Sequence, residues 1–264
     1  MKPRDFAPEI RRAVAHFWTS RSGAGERQSA SDDADRGERG NVTSGKHLDG
    51  FAEFFTNLAR EAALPTPTVE KQAQLNTLPG YFRPTKKWDL LIHSEGRLIA
   101  AIELKSHVGP SFGNNANNRA EEALGNATDF WTAYREGAFG KSPRPFLGYL
   151  MLLEDCPKVH AKPARPIKPS YFDVFPEFRQ ASYAERYRLL CEKLVLESLY
   201  SSAALVLSPR TAGTSGDYSE LSESSSLMTF IAQFRGKLIS EAERGEPMTV
   251  RVREDTICSA DQCE

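Results

Sequence analysis

Near the N-terminus apolar residues recur twice at helical spacing, at Phe6, Ile10, Val14, Phe17 and Trp18 and again at Leu48, Phe51, Phe54, Phe55, Leu58 and Ala62, which predicts two amphipathic helices. Between them Arg21 to Gly45 is a run of Ser, Gly, Asp, Arg and Glu, too polar to bury, and reads as a mobile loop. Further along, the period shortens. Leu90-Leu91-Ile92 and Leu98-Ile99-Ala100-Ala101-Ile102 flank His93-Ser94-Glu95-Gly96, the pattern of a β-hairpin with a short glycine-containing connection. Ala120 to Tyr134 reads as a helix ending near Gly137, Phe146 to Leu153 as a buried strand, Phe178 to Tyr200 as a helix and Ala203 to Leu207 as a short strand. Leu227, Ile231, Phe234 and Leu238 make a last helix, and the polar tail after Pro247 is expected to be flexible. Strands interleaved with helices suit one α/β domain over residues 1–264, a mixed central sheet flanked by helices on both faces.

Composition narrows the class. The 264 residues are 40% hydrophobic and 26% charged, enough apolar material for a folded core, which excludes a wholly disordered chain. Lys and Arg number 34 against 35 Asp and Glu, so a uniformly basic binder is excluded while a local basic face stays open. No run approaches a secretion signal or a membrane span, and a soluble, cytoplasmic protein is expected. Cys156, Cys191, Cys258 and Cys263 form no Cys-x-x-Cys pair, and His16, His47, His93, His107 and His160 are scattered. Spacing therefore supports no zinc site, and free thiols are expected.

At one place the hairpin interrupts its apolar pattern with charge. Side chains alternate along a strand, so Glu103 and Lys105 project together while Leu104 turns the other way into the core. If Asp89 from the neighbouring strand reaches the same spot, its carboxylate and that of Glu103 can share one divalent cation, with Leu104 a further candidate ligand. Hard oxygen ligands suit magnesium, which keeps several waters and can hold a phosphate oxygen. Lys105 would then face the scissile phosphate or the attacking water. An Asp, a spacer of about a dozen residues and Glu-x-Lys make up the signature of PD-(D/E)xK nucleases. Glu103-Leu104-Lys105 is the one acid-x-Lys triplet in the chain. The alternative is that Glu103 and Lys105 are solvated residues on an exposed strand edge and Asp89 a surface acid near a turn.

Longer stretches carry a more specific resemblance. Trp88-Asp89-Leu90-Leu91-Ile92, Ile99 through Ser106, Val108-Gly109-Pro110-Ser111-Phe112-Gly113-Asn114-Asn115, Asn117 through Leu124 and Asp129-Phe130-Trp131-Thr132-Ala133-Tyr134-Arg135 resemble the XhoI-type family of type II restriction endonucleases. The resemblance implies a homodimeric, magnesium-dependent enzyme that cuts both strands of DNA at the palindrome CTCGAG, leaves four-base 5′ overhangs and works alongside a cognate DNA methyltransferase. On the family pattern Asp89, Glu103 and Lys105 are the catalytic set; Trp88 stands where the motif's name has Pro, a position that does no chemistry. Two other readings are a repair or recombination nuclease of the same fold that reads DNA structure, and a sequence-specific DNA-binding protein without catalysis.

Two further groups are candidates for DNA contact. Asn114, Asn115, Asn117, Asn118 and Arg119 bear the amides and guanidinium suited to adenine and guanine edges, though a turn whose amides cap the following helix would use the same residues. Pro157 to Pro169 reads as an extended basic loop whose Lys158, Lys162, Arg165 and Lys168 suit phosphates. Glu53 and Glu70 are upstream acids that could support the metal site, although ordinary surface positions suit them as well.

Overall fold

The computed structural model describes residues 4–29, 46–65, 67–70, 76–169 and 171–244. Its centre is a five-stranded mixed sheet. Strands β1 (Pro67–Glu70), β4 (Leu90–Ser94) and β5 (Arg97–His107) pair antiparallel, and β6 (Phe146–Glu154) and β7 (Ser202–Ser208) add to β5 in parallel, giving the order β1-β4-β5-β6-β7. A separate two-stranded hairpin, β2 (Thr77–Pro79) with β3 (Thr85–Lys87), precedes β4.

Five long helices cover the sheet: α1 (Ala7–Ser29), α2 (Asp49–Glu61), α3 (Gly113–Arg135), α4 (Tyr183–Leu196) and α5 (Leu227–Glu243). Strand alternation divides the core in two. Ile92, Ile102, Leu104, Leu150 and Val206 meet Phe17, Phe55, Phe230 and Phe234 from α1, α2 and α5. Leu91, Ala101, Tyr149, Met151 and Leu205 meet Phe130, Trp131, Tyr187 and Leu194 from α3 and α4. β6 and β7 are buried along their whole length, as expected of parallel strands covered on both faces.

Local chemistry sets the junctions. Glu95 (φ 50°) and Gly96 (φ 72°) form a two-residue turn with both residues left-handed, the geometry that matches strand twist in a tight hairpin. Ser182 and Glu185 make a reciprocal capping box at the start of α4, and the Ser226 hydroxyl accepts from the Thr229 N–H at the start of α5.

The predicted helices, the β4–β5 hairpin, the buried strands and the mixed sheet are all present; β1, β2 and β3 are additional, the helix predicted over Phe178 to Tyr200 is confined to Tyr183–Leu196, and three further differences have a local cause. α1 continues to Ser29, so Arg21 to Ser29 is helical rather than loop. Once the buried face of a helix is nucleated, each added residue gains a backbone hydrogen bond even where its side chain is polar. α3 begins at Gly113 rather than Ala120, because packing of Phe112 and Ala116 into the second core overrides the weak helix propensity of Gly and Asn. The basic segment opens with a helical turn, Pro157–His160, before becoming irregular. Residues 30–45 and the tail after Pro247 lie outside the described residues. Among the described residues no helix is long and apolar enough to cross a membrane.

Candidate active site

β4 begins opposite Ile102, while β5 runs on along β6 as far as His107. The sheet therefore forks at Glu103 to Lys105. Just outside the β4 ladder, Asp89 Oδ2 accepts a hydrogen bond from the Leu104 N–H at 2.8 Å, replacing the strand partner that Leu104 would otherwise have. Leu104 points its side chain into the first core, and Glu103 and Lys105 face α3. The alternation read from the sequence brings Asp89, Glu103 and Lys105 to one spot.

Glu103 is 1% exposed, so its charge has to be answered locally. Lys105 Nζ pairs with Oε1, and Lys86 Nζ from β3 lies 2.8 Å from Oε2. The Lys86 contact is an ion pair without hydrogen-bond alignment, which leaves Oε2 buried with no hydrogen-bond donor. The Lys86 ammonium also lies 4.5 Å from the centre of the Trp88 ring.

A polar stripe on α3 completes the cluster. Asn126 Nδ2 donates to Glu103 Oε1 at 3.4 Å, and Glu122 Oε1 lies 3.3 Å from Lys105 Nζ. Arg119 Nη1 binds Glu122 Oε2 at 2.6 Å. Arg83 Nη2 donates to Asn126 Oδ1 at 2.6 Å, while its Nε reaches Asp129 Oδ2 at 2.8 Å.

These surroundings tune the charges. Asp89 is open to solvent on one side but recessed among much surrounding protein; the resulting desolvation, with repulsion from Glu103, raises its carboxyl to about 6 against the opposing pull of Lys105. Burial disfavours the charge on Lys105, but Glu103, Asp89 and Glu122 outweigh it and hold the ammonium above the ordinary lysine range. For Glu122, burial is likewise outweighed, by Lys105 and Arg119, and the carboxyl is held below its usual range.

The other predicted residues are distributed differently. Asn115, Asn117 and Asn118 are exposed in the first turns of α3 rather than in a turn before it. Asn115 Nδ2 donates to the Ser111 carbonyl at 3.1 Å, and Asn117 Oδ1 accepts from Arg186 at 2.6 Å. The N-cap is Phe112, so no asparagine amide caps the helix there; the side chain of Asn114 lies outside the described residues. Lys158, Lys162, Arg165 and Lys168 are all exposed, and Lys158 folds back to donate to the Pro110 carbonyl at 2.7 Å. Glu53 lies in the α1–α2 layer across the sheet, lining a cleft with Arg4, Arg12 and His16. Glu70 ends edge strand β1 in register with Leu91, where its charge raises the pKa of His93 against the lowering effect of burial. Cys156 and Cys191 are free thiols, and Cys258 and Cys263 lie outside the described residues.

Sequence reasoning missed Lys86, Arg83, Glu122, Asn126 and Asp129. Glu122, Asn126 and Asp129 follow i, i+4, i+7 spacing between Ala123, Ala127 and Phe130, a polar stripe on a sheet-facing helix side that could have been found. Lys86 gave no such signal, because a three-residue strand has no readable period.

Comparison with known proteins finds a matching family model and curated relatives. A family model described as restriction endonuclease XhoI matches residues 27–220. The type II restriction enzyme BstVI of Geobacillus stearothermophilus is 50% identical over 213 residues, 79% of this chain and 94% of that protein. The type II restriction enzyme XhoI of Xanthomonas vasicola is 47% identical over 200 residues, 75% of this chain and 79% of that protein. AbrI of Azospirillum brasilense, also a type II restriction enzyme, is 49% identical over 175 residues, 66% and 75% of the two chains. No solved structure matches.

Proposed function

The chain belongs to the XhoI restriction endonuclease family and is a type II restriction endonuclease, a hydrolase acting on double-stranded DNA; from this premise we propose that it cuts both strands at CTCGAG through Asp89, Glu103 and Lys105 with magnesium. The observation that carries the residue assignment is the fork in the sheet, which sets Asp89 against the Leu104 N–H and leaves Glu103 and Lys105 side by side. Four-base 5′ overhangs, a homodimer with one active site for each strand of the palindrome, cytoplasmic action and a cognate methyltransferase complete the reading.

The donor set fits a hard divalent cation. Asp89 and Glu103 repel one another closely enough to raise Asp89, and the buried Oε2 of Glu103 has an ammonium beside it but no hydrogen-bond donor. A shared cation would relieve both conditions. The Leu104 carbonyl leaves β5 on the same side as its N–H, toward Asp89, and would supply a neutral third oxygen. When bound, the cation supplies Lewis-acid charge to the phosphoryl oxygen and lowers the pKa of water.

The chain's own residues divide the remaining work. Lys105 is held protonated by three carboxylates, so it neutralises charge growing on the phosphate rather than accepting a proton. Glu122 positions that ammonium, and Arg119 balances Glu122. Exposed Asn115, Asn117 and Asn118 suit base edges, and Lys162, Arg165 and Lys168 suit phosphates. Digesting a plasmid of known sequence and sequencing the fragment ends tests the proposal. Ends at CTCGAG with four-base 5′ extensions are expected; ends elsewhere would overturn the recognition site, and random ends the sequence specificity.

A further inference from the structure

The small β2–β3 hairpin does more than deliver Lys86. Its register pairs Leu78 with Lys86 and Pro79 with Thr85, and the Gly80 N–H donates to the Pro84 carbonyl at 3.3 Å. Tyr81, Phe82 and Arg83 are thereby left at the tip. Tyr81 and Phe82 are 55% and 70% exposed, with their rings edge to face at 5.2 Å. Two aromatic rings in water are normally a cost without return, and a flexible tip could fold them away.

This tip is clamped instead. The buried carboxylate of Asp129 accepts from the Tyr81 N–H at 2.7 Å, the Phe82 N–H at 2.8 Å and Arg83 Nε at 2.8 Å. The carboxyl is held below its usual range despite its burial, because Arg83 and the two N–H groups outweigh desolvation. Gly80 is required for this close approach: a Cβ there would stand 2.5 Å from Asp129 Oδ2 and 2.6 Å from the Arg83 carbonyl. The mount continues into the active site, since Arg83 binds Asn126, Asn126 binds Glu103, and Lys86 on the same hairpin pairs with Glu103. A buried charge with a full set of donors thus fixes two solvent-facing rings relative to the catalytic carboxylate.

Resting on the nuclease reading above, we infer that Tyr81 and Phe82 form an aromatic wedge that presses against bases of the duplex beside the scissile phosphate, setting the cut position and unstacking the step it touches. The surroundings choose this occupant. Lys87 on the same hairpin is exposed, and Arg83 is exposed beside Asp129, so positive charge lies next to the rings, and flat apolar faces next to phosphates are what a base step offers. Continuity with the active site brings the wedge to the DNA being cut, whereas the other exposed aromatic residues, Tyr171, Phe172 and Phe175, lie on the irregular segment after the basic loop.

The test compares E103Q with the triple variant E103Q/Y81A/F82A, on a duplex fragment carrying CTCGAG. Binding is measured by titration, thymine unstacking by permanganate reactivity and oligomeric state by sedimentation. Both rings are exposed, so the fold should be unchanged by their removal. The triple variant is expected to bind about tenfold more weakly and to lose permanganate reactivity at thymines near the cut, with Phe82→Trp partly restoring both. Unchanged affinity and unchanged reactivity would overturn the wedge. So would weaker binding accompanied by loss of a dimer, which would assign the rings to an interface between copies. Failure of the parent reading shows separately, as cleavage by E103Q in magnesium or as no cleavage of the same duplex by the unaltered protein.

Discussion

Two glutamates in this protein are equally hidden and serve opposite ends. Glu103 on β5 and Glu241 on α5 are each 1% exposed, each beside ammonium or guanidinium groups, and each with a buried Oε2 that accepts no hydrogen bond. Among the described residues Glu241 is paired with three cations: Lys237 at 2.7 Å, and Arg97 and Arg244 at 3.5 Å. It ties the last helix to the first residue of β5. Glu103 has a second acid as well, Asp89, close enough to raise that carboxyl to about 6. A buried carboxylate answered wholly by the chain braces the fold, whereas the second acid beside Glu103 is what the proposed cation would answer.

The largest expected effect breaks the comparison from the catalytic side. Glu103→Ala and Asp89→Ala should lower cleavage at least about a thousandfold in magnesium while DNA binding persists or tightens, because like charge facing phosphate is removed. Gel-shift and cleavage assays on the same preparation decide this, and near wild-type cutting by Glu103→Ala would sink the assignment. Glu241→Gln should do the reverse. Three cations would lose their counter-charge, costing about 3 kcal/mol in a denaturant titration, with cleavage per folded molecule unchanged.

A smaller effect follows pH. Cation binding needs Asp89 ionised, so affinity for magnesium should fall about tenfold per pH unit below the Asp89 value of about 6. For stability the sign is the opposite. The folded state binds the Asp89 proton more tightly than the unfolded chain, whose carboxyl titrates near 3.8, so ionisation above about 6 works against folding. Asp89→Asn should therefore stabilise the protein at pH 8, with the gain fading as pH falls from 6 towards 3.8; an equal gain at pH 4 would contradict this account. Smallest of all, Lys162→Ala should weaken binding to every duplex alike and lower the salt slope by about one unit, visible in titrations at several salt concentrations.

The difference between the two glutamates also marks what could be read in advance. Glu103 announced itself because an acid and a lysine on an apolar strand violate the strand's own pattern, and Asp89 did so by lying across the hairpin. The mixed sheet was legible because its long strands carry apolar runs, Leu98 to Ile102 and Phe146 to Leu153 among them. Glu241, at the polar end of an amphipathic helix, looks like any surface acid; its burial and its pairing with Arg97 of β5 belong to the tertiary packing, which no local pattern records. Arg119 reads from the sequence as a candidate for base contact, and its pairing with Glu122 could not be read because it depends on the helix frame that begins at Gly113. Lys86 and the Asp129 clamp depend on a hairpin whose strands are three residues each, too short for periodicity to register.

The tight Glu95-Gly96 turn has a bearing on how the chain reaches this state in time. Asp89, Glu103 and Lys105 all belong to one hairpin closed by two residues, a pairing that forms within about 1–10 μs in isolation. The parallel pairing of β5 with β6 must wait for the whole of α3 to cross over, a much longer loop to close. The catalytic charges are therefore expected to gather in an early intermediate-range contact, while α3 arrives afterwards with Glu122 and Asn126. Substitutions that weaken the hairpin, such as Leu91→Ala, should slow refolding, and those on the sheet-facing side of α3, such as Ala127→Gly, should mainly quicken unfolding.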